Sequence, residues 1–255
     1  MKKDVPILEH NYDELSITEP LKIYKPIDEM PQRVVLVFYQ EVIENLLDNN
    51  LLEQFHQIKS ETGIFPVYRL LNQGTDIAVI NPGLGAPLSG AVLEELIAFG
   101  AKKCIACGSA GVLKKEFERG SVIVVSSAVR DEGTSYHYLS PSREVSIDPK
   151  ILRTIETALD NIGVPYLTGK TWTTDAIYRE TRGIIEKRLS EGCLTVEMET
   201  SALITISQFR KIEFGQLLSC GDDVSGDEWD QRFHPEAHTH KEKLFWLAIM
   251  CCSNL

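Results

Sequence analysis

The triplet Glu197-Met198-Glu199 directly follows the apolar stretch Leu194-Thr195-Val196 and sets two carboxyl groups two positions apart. Alternate side chains of an extended chain share a face, so both acids are expected on one side and Met198 on the other. A carboxylate at a strand's end can accept two hydrogen bonds from a vicinal diol, the arrangement that a ribose presents; the alternative is a solvated strand end. Asp222-Asp223 ends another apolar run, Gln-Leu-Leu-Ser-Cys-Gly. Adjacent carboxyls at a pocket mouth resist double ionisation, so one of them is expected to keep a proton and act as a general acid, unless the pair is a helix cap or a surface turn.

Two glycine loops, Gly83-Leu84-Gly85 and Gly108-Ser109-Ala110-Gly111, also follow apolar runs. Glycine lets backbone N–H groups approach an anion closely, and Ser109 adds a hydroxyl donor; tight turns between a strand and a helix need the same small residues. Neither loop has the spacing of a dinucleotide fingerprint or a P-loop. Trp172 and Tyr178 flank Asp175, and Trp172 reads either as a ring stacked on a planar base or as a core tryptophan. His137, in Thr-Ser-Tyr-His-Tyr, is either a binding group or an ordinary loop histidine.

These residues need strands to carry them. Apolar runs at 33–39, 102–110 and 120–131 read as buried strands, and 67–71 with 76–83 as a hairpin around Asn72-Gln73-Gly74. Residues 41–58 and 89–100 read as helices, the second stopping at Gly100. Asp148-Pro149 opens a helix that Gly163 closes, an agreement of start and stop signals. Further strands are expected at 165–175, 193–199 and 214–223, and helices at 181–192, 200–211 and 237–255. Strands alternating with helices define an α/β domain, whose ligands collect at the carboxyl edge of the sheet. Loops at 83–87, 108–111, 130–138, 171–182, 196–200 and 220–223 all fall there and read as one site assembled from six segments.

Composition narrows the class of function. The 255 residues carry 26 Lys+Arg against 37 Asp+Glu, a net charge of −11 that disfavours sequence-independent nucleic-acid binding. A hydrophobic content of 43% excludes global disorder, and no apolar run approaches the roughly 20 residues of a membrane span. With no signal-peptide pattern at the N-terminus, a cytoplasmic location is expected. The six cysteines are expected as free reduced thiols, because Cys104 and Cys107 lie along a strand rather than at a helix start and no second ligand pair accompanies them.

In their order, Gly-Leu-Gly-Ala-Pro, Gly-Ser-Ala-Gly, Arg-Asp-Glu-Gly-Thr-Ser-Tyr-His-Tyr, Val-Glu-Met-Glu-Thr and the late Asp222 resemble the nucleoside phosphorylase family, which includes purine nucleoside and uridine phosphorylases and related nucleosidases. The resemblance covers roughly residues 33–250. It implies a single three-layer αβα domain around a central mixed sheet, here 33–255 behind an N-terminal extension of 1–32. It also implies a homo-oligomer acting on a nucleoside with phosphate as co-substrate, and no metal or organic cofactor. Residue by residue it places Glu199 on the ribose hydroxyls, Met198 against the sugar and Glu197 beside it. Trp172 falls over the base, with His137 in the neighbouring loop, and Glu180 and Arg182 match, with a one-residue gap, a Gln and Arg that read uracil. Asp222 matches the acid that protonates purines, and Gly85, Gly108 and Ser109 match the phosphate loops.

Two departures stand out. Ala106 replaces the arginine usual three residues before the phosphate-binding hydroxyl, and Phe38-Tyr39-Gln40-Glu41 replaces a Gly-Asp-Pro run with its arginine. Either another cation substitutes, with Arg69 and Arg130 as candidates, or water replaces phosphate, with Glu41 as its base in the manner of the nucleosidases. Asp222 argues for a purine, and Arg182 with the Thr-Ser-Tyr-His-Tyr loop for a pyrimidine. The N-terminal segment through His10 is the candidate for a residue lent across a subunit interface.

Overall fold

The computed structural model describes residues 5–9, 11–71, 74–232 and 237–255. A short helix α1 (Pro20–Ile23) precedes β1 (Arg33–Val37), α2 (Gln40–Asp48), β2 (Leu52–Ser60), β3 (Gly63–Leu70) and β4 (Ile77–Ile80). Then come α3 (Ala86–Phe99), β5 (Lys103–Val112), β6 (Val122–Asp131), β7 (Glu144–Ser146) and α4 (Pro149–Asn161). The chain continues through β8 (Tyr166–Thr174), α5 (Arg182–Ser190), β9 (Cys193–Glu197), α6 (Thr200–Arg210), β10 (Glu213–Asp223) and α7 (Ala237–Asn254).

The result is an α/β fold around a central mixed sheet. β1 runs parallel to both β4 and β5, buried on both faces, which is why Val34 to Val37 form an unbroken apolar run. The antiparallel strands β3 and β2 extend one side. On the other side β5, β10, β6, β8 and β9 pair in turn, and β9 returns to pair with β5. That part of the sheet therefore closes on itself. The ends of β5, β9 and β10 face a common centre, although more than a hundred residues separate the first from the last. Among the helices, α3 packs on α6, and α2 and α4 pack on α7.

Local signals explain most boundaries. Asp148 accepts a hydrogen bond from the Lys150 N–H at 2.7 Å and opens α4, and Gly163 leaves it at φ +67°. Gly100, at φ +135°, ends α3. The helix expected over 41–58 is half wrong. It stops at Asp48 because Asn50 takes a left-handed conformation (φ +55°), and the following residues become β2, paired along its length with β3. The expected hairpin strands do pair, Tyr68 opposite Val79 and Arg69 opposite Ala78, while Asn72 and Gln73 of its turn lie outside the described residues. β9 ends at Glu197 rather than 199. All six cysteines are buried and free, Cys104 and Cys107 within β5.

Candidate active site

A cavity of about 450 Å³ opens at the ends of β5, β9 and β10. Seven of the residues singled out in the sequence line it: Ser109, Glu180, Arg182, Glu197, Met198, Glu199 and Asp222. It takes six carboxyl side chains and a single guanidinium from the described residues, and its rim includes Leu84, Ile177, Tyr178 and Trp229.

Glu199 sits at the junction of β9 and α6, 5% exposed, and its Oε1 accepts the Gly85 N–H at 2.6 Å. Gly85 delivers that N–H from a backbone at φ +90°, a conformation that side chains disfavour. Burial, together with the charge of Glu197, pushes the Glu199 carboxyl up to about 8. Glu197 has a different task from the one expected. Its Oε1 accepts from Thr173 Oγ1 at 2.6 Å, and its Oε2 accepts from the N–H groups of Glu199 and Thr200, both at 2.7 Å. It therefore caps α6 and holds the Glu199 backbone still. Because the strand stops at 197, the alternation expected for the triplet fails, and Met198 lines the same cavity as both acids.

The two adjacent aspartates part company. Asp223 turns toward Arg232 (2.6 Å) and the Ser225 N–H (2.8 Å); these contacts outweigh its burial and hold it below the usual carboxylate range. Asp222 faces the cavity, and its Oδ2 accepts the indole N–H of Trp229 at 2.7 Å. The carboxyl that repels Asp222 is Glu180, not Asp223. Burial, then the Asp222 charge, pushes Glu180 up to about 7.

Ser109 also lines the cavity, and Tyr39 Oη lies 3.1 Å from Ser109 Oγ. Tyr39 is 3% exposed, and burial raises its phenol well above the ordinary value. Arg182 contributes less than expected to ligand reading, because it donates to the carbonyls of Ser225 and Gly226 and to Asp227 and so braces the loop that carries Trp229.

Six expected residues lie elsewhere. Trp172 is 1% exposed, packed beside Val129 and Val196, with its indole N–H on Asp131 at 2.9 Å; it is a core residue of β8 and no base stacks on it. Arg130 is buried and spends its guanidinium on Ser135, Leu139, Ser140 and Ser142, tying down the following loop instead of binding phosphate. Glu41 is ion-paired with Lys241 and does not line the cavity, so it is not placed to activate water there. His137 is an exposed residue at the end of a short turn after β6, also outside the cavity. Gly108 serves packing, since a Cβ there would meet Phe38 at 3.2 Å. Arg69, the other substitute cation, pairs with Asp76. His10 lies outside the described residues.

Sequence reasoning missed Trp229 and Tyr39. A tryptophan in the acidic, glycine-bearing loop straight after Asp222 was the available signal for the first. For the second it was a hydroxyl at the carboxyl end of β1.

A closed mixed sheet with a carboxylate-lined pocket at its strand ends defines an α/β protein with one candidate ligand site at the carboxyl edge. The chain belongs to the phosphorylase superfamily, whose family model matches residues 32–246, and is an enzyme of the purine nucleoside and uridine phosphorylase kind. It is 26% identical to a guanosine phosphorylase of Halorubrum lacusprofundi over 63% of this chain and 68% of that one. Its fold matches a purine nucleoside phosphorylase of Toxoplasma gondii solved with immucillin-H (TM-score 0.75, 23% identity, 89% of this chain and 92% of that one). It also matches an AMP nucleosidase of Bacteroides thetaiotaomicron (TM-score 0.68, 23% identity, 87% of each chain). No helix of the described residues is long and apolar enough to cross a membrane.

Proposed function

We propose that the protein cleaves the N-ribosidic bond of a nucleoside, with phosphate as the acceptor, releasing a free base and ribose 1-phosphate. The observation that carries this reading is the placement of Glu199 and Met198 against one cavity with Glu180 and Asp222. Glu199 accepts hydrogen bonds from the ribose hydroxyls, and Met198 packs on the sugar. The sugar becomes oxocarbenium-like as the bond breaks, so nearby carboxylates stabilise it, and a carboxyl at the base end neutralises the departing ring. Ser109 and the adjacent backbone hold the acceptor. The guanosine phosphorylase relative supports phosphate in that role.

Hydrolysis is the second reading, favoured by one feature of this cavity. Its only lining cation among the described residues, Arg182, is bonded to the 225–227 loop, and the Ser109 hydroxyl already faces Tyr39. Those of the six lining carboxyls that are ionised repel a phosphate dianion and leave a neutral water unaffected. The test is to incubate purified protein with adenosine, inosine and uridine, with and without phosphate. Base release that requires phosphate supports the first reading, and release without it supports the second. Binding without turnover across the panel would remove both. A homo-oligomer in solution belongs to the same proposal, and light scattering measures it directly.

A further inference from the structure

The two carboxyls at the base end of the cavity are not equivalent. Asp222 is half-buried and fixed, because Trp229 donates its indole N–H to Oδ2 at 2.7 Å. An N–H donor can only be met by an acceptor oxygen, so this contact holds Asp222 Oδ2 in place as an acceptor. Glu180 is also half-buried, at the end of the turn Ile177–Arg179, and lines the same cavity with no hydrogen-bond partner among the described residues. The other charged groups around this space are Arg182, Asp227, Glu228, Glu197 and Glu199. Arg182 is turned onto Asp227 and the carbonyls of its loop, and Glu197 is held by Thr173 and the start of α6. Among the described residues no ion pair offsets the negative charge that Glu180 would carry.

Resting on the nucleoside-cleavage reading, we infer that Glu180 is the catalytic acid which delivers a proton to the departing base, while Asp222 accepts from an exocyclic amino group, making a 6-aminopurine nucleoside the preferred substrate. A neutral carboxyl beside a fixed carboxylate offers one donor and one acceptor. A 6-aminopurine presents the complement, a ring nitrogen acceptor (N7) next to an N–H donor. A 6-oxopurine presents two acceptors, and its carbonyl oxygen meets the Asp222 charge. In the reaction the C1′–N9 bond breaks, its electron pair moving onto the ring. The Glu180 proton passes to N7, and the base leaves neutral. An oxygen of phosphate or water forms the new bond to C1′, and the proton that this nucleophile loses returns through solvent to Glu180. Burial and the Asp222 charge, which push Glu180 up to about 7, keep it protonated in much of the population at neutral pH.

The experiment measures kcat/KM from pH 5.5 to 8.5 for adenosine, inosine and p-nitrophenyl riboside, whose leaving group departs as a stable anion and needs no acid. Wild-type cleavage of adenosine should fall as pH rises through about 7, because the acid form of Glu180 is lost there. Glu180→Gln should slow adenosine cleavage roughly 100-fold or more and abolish that alkaline fall, while sparing p-nitrophenyl riboside. Asp222→Asn should keep the fall, moved to lower pH by the loss of a neighbouring negative charge, and should erode the preference for adenosine over inosine. The proposal is overturned if Glu180→Gln slows both kinds of substrate equally, if Asp222→Asn alone removes the pH dependence, or if inosine is preferred by the wild type. Failure of the wild-type protein to cleave any riboside, including p-nitrophenyl riboside, would instead withdraw the cleavage reading itself and this assignment with it.

Discussion

The Gly85 N–H and the Glu199 carboxylate meet at 2.6 Å across 114 residues of sequence, joining the start of α3 to the end of β9. This contact holds in place a carboxyl that its surroundings otherwise disfavour as an anion, since burial and Glu197 push it up to about 8.

Glu199→Gln keeps an oxygen for the Gly85 N–H and removes the buried charge. A carboxyl raised in the folded state stabilises the protein fully below its unfolded value, and that contribution is lost as pH rises through the folded one. The wild type should therefore lose stability between about pH 5 and pH 8, and the variant should lose less. At pH 8 the variant should melt higher, by roughly 2–4 °C for each 1 kcal/mol recovered, while ribose recognition weakens. Calorimetry at the two pH values with parallel KM measurements checks both halves; an unchanged KM removes Glu199 from the sugar site.

Tyr39→Phe deletes the hydroxyl that faces Ser109 at 3.1 Å and leaves the buried ring in place. If Ser109 lies at the acceptor end, the KM for phosphate should change by about fivefold, the equivalent of one hydrogen bond of about 1 kcal/mol. Selectivity among bases should not move. Initial rates over a phosphate series decide it, and a shift in base selectivity with an unaltered phosphate KM would place Ser109 at the wrong end.

Trp229→Phe removes the donor on Asp222 but keeps an aromatic ring at the cavity rim. Solvent screens a contact this exposed, so its loss is worth about 1 kcal/mol, and kcat/KM for the preferred nucleoside should fall about fivefold. The melting temperature should barely respond, because the indole is 59% exposed. A stability loss with no kinetic effect would mark Trp229 as a packing residue.

Arg210 joins Glu19, just before α1, to Glu94 of α3, each at 2.7 Å, with all three side chains nearly buried. Arg210→Met leaves two buried carboxylates facing each other and should cost about 3–5 kcal/mol. The urea midpoint measures that cost, and limited proteolysis should show the segment before β1 released first. A variant as stable as the wild type would mean that the N-terminal segment is not anchored through this cluster.

Much of this architecture is written in local patterns. The continuous apolar runs of β1, β5 and β10, the Asp-Pro start and Gly stop of α4, and the order of the polar loops after each strand all depend on near neighbours, so they can be read along the chain. The end of α2 was harder, because residues 52–58 keep apolar positions compatible with either period. The pairing of β2 with β3 decided between them. That Glu199 and Asp222 reach a common cavity was legible too, since both stand where an apolar strand gives way to a loop.

What the chain could not reveal is which polar groups spend themselves on the fold. Arg130, Glu197 and Trp172 have the chemistry of ligand contacts, yet each is consumed by partners from other segments: the 135–142 loop, Thr173 of β8 and Asp131. The pairing of Asp222 with Glu180 and Trp229 instead of with adjacent Asp223 is likewise a product of tertiary approach. Sequence determined the residue types and the strand ends on which they sit, because hydrophobic period and turn chemistry are local. Only the closure of the sheet decided which carboxyls share a cavity and which keep a proton, because burial and the distance between charges exist only once distant strands have met.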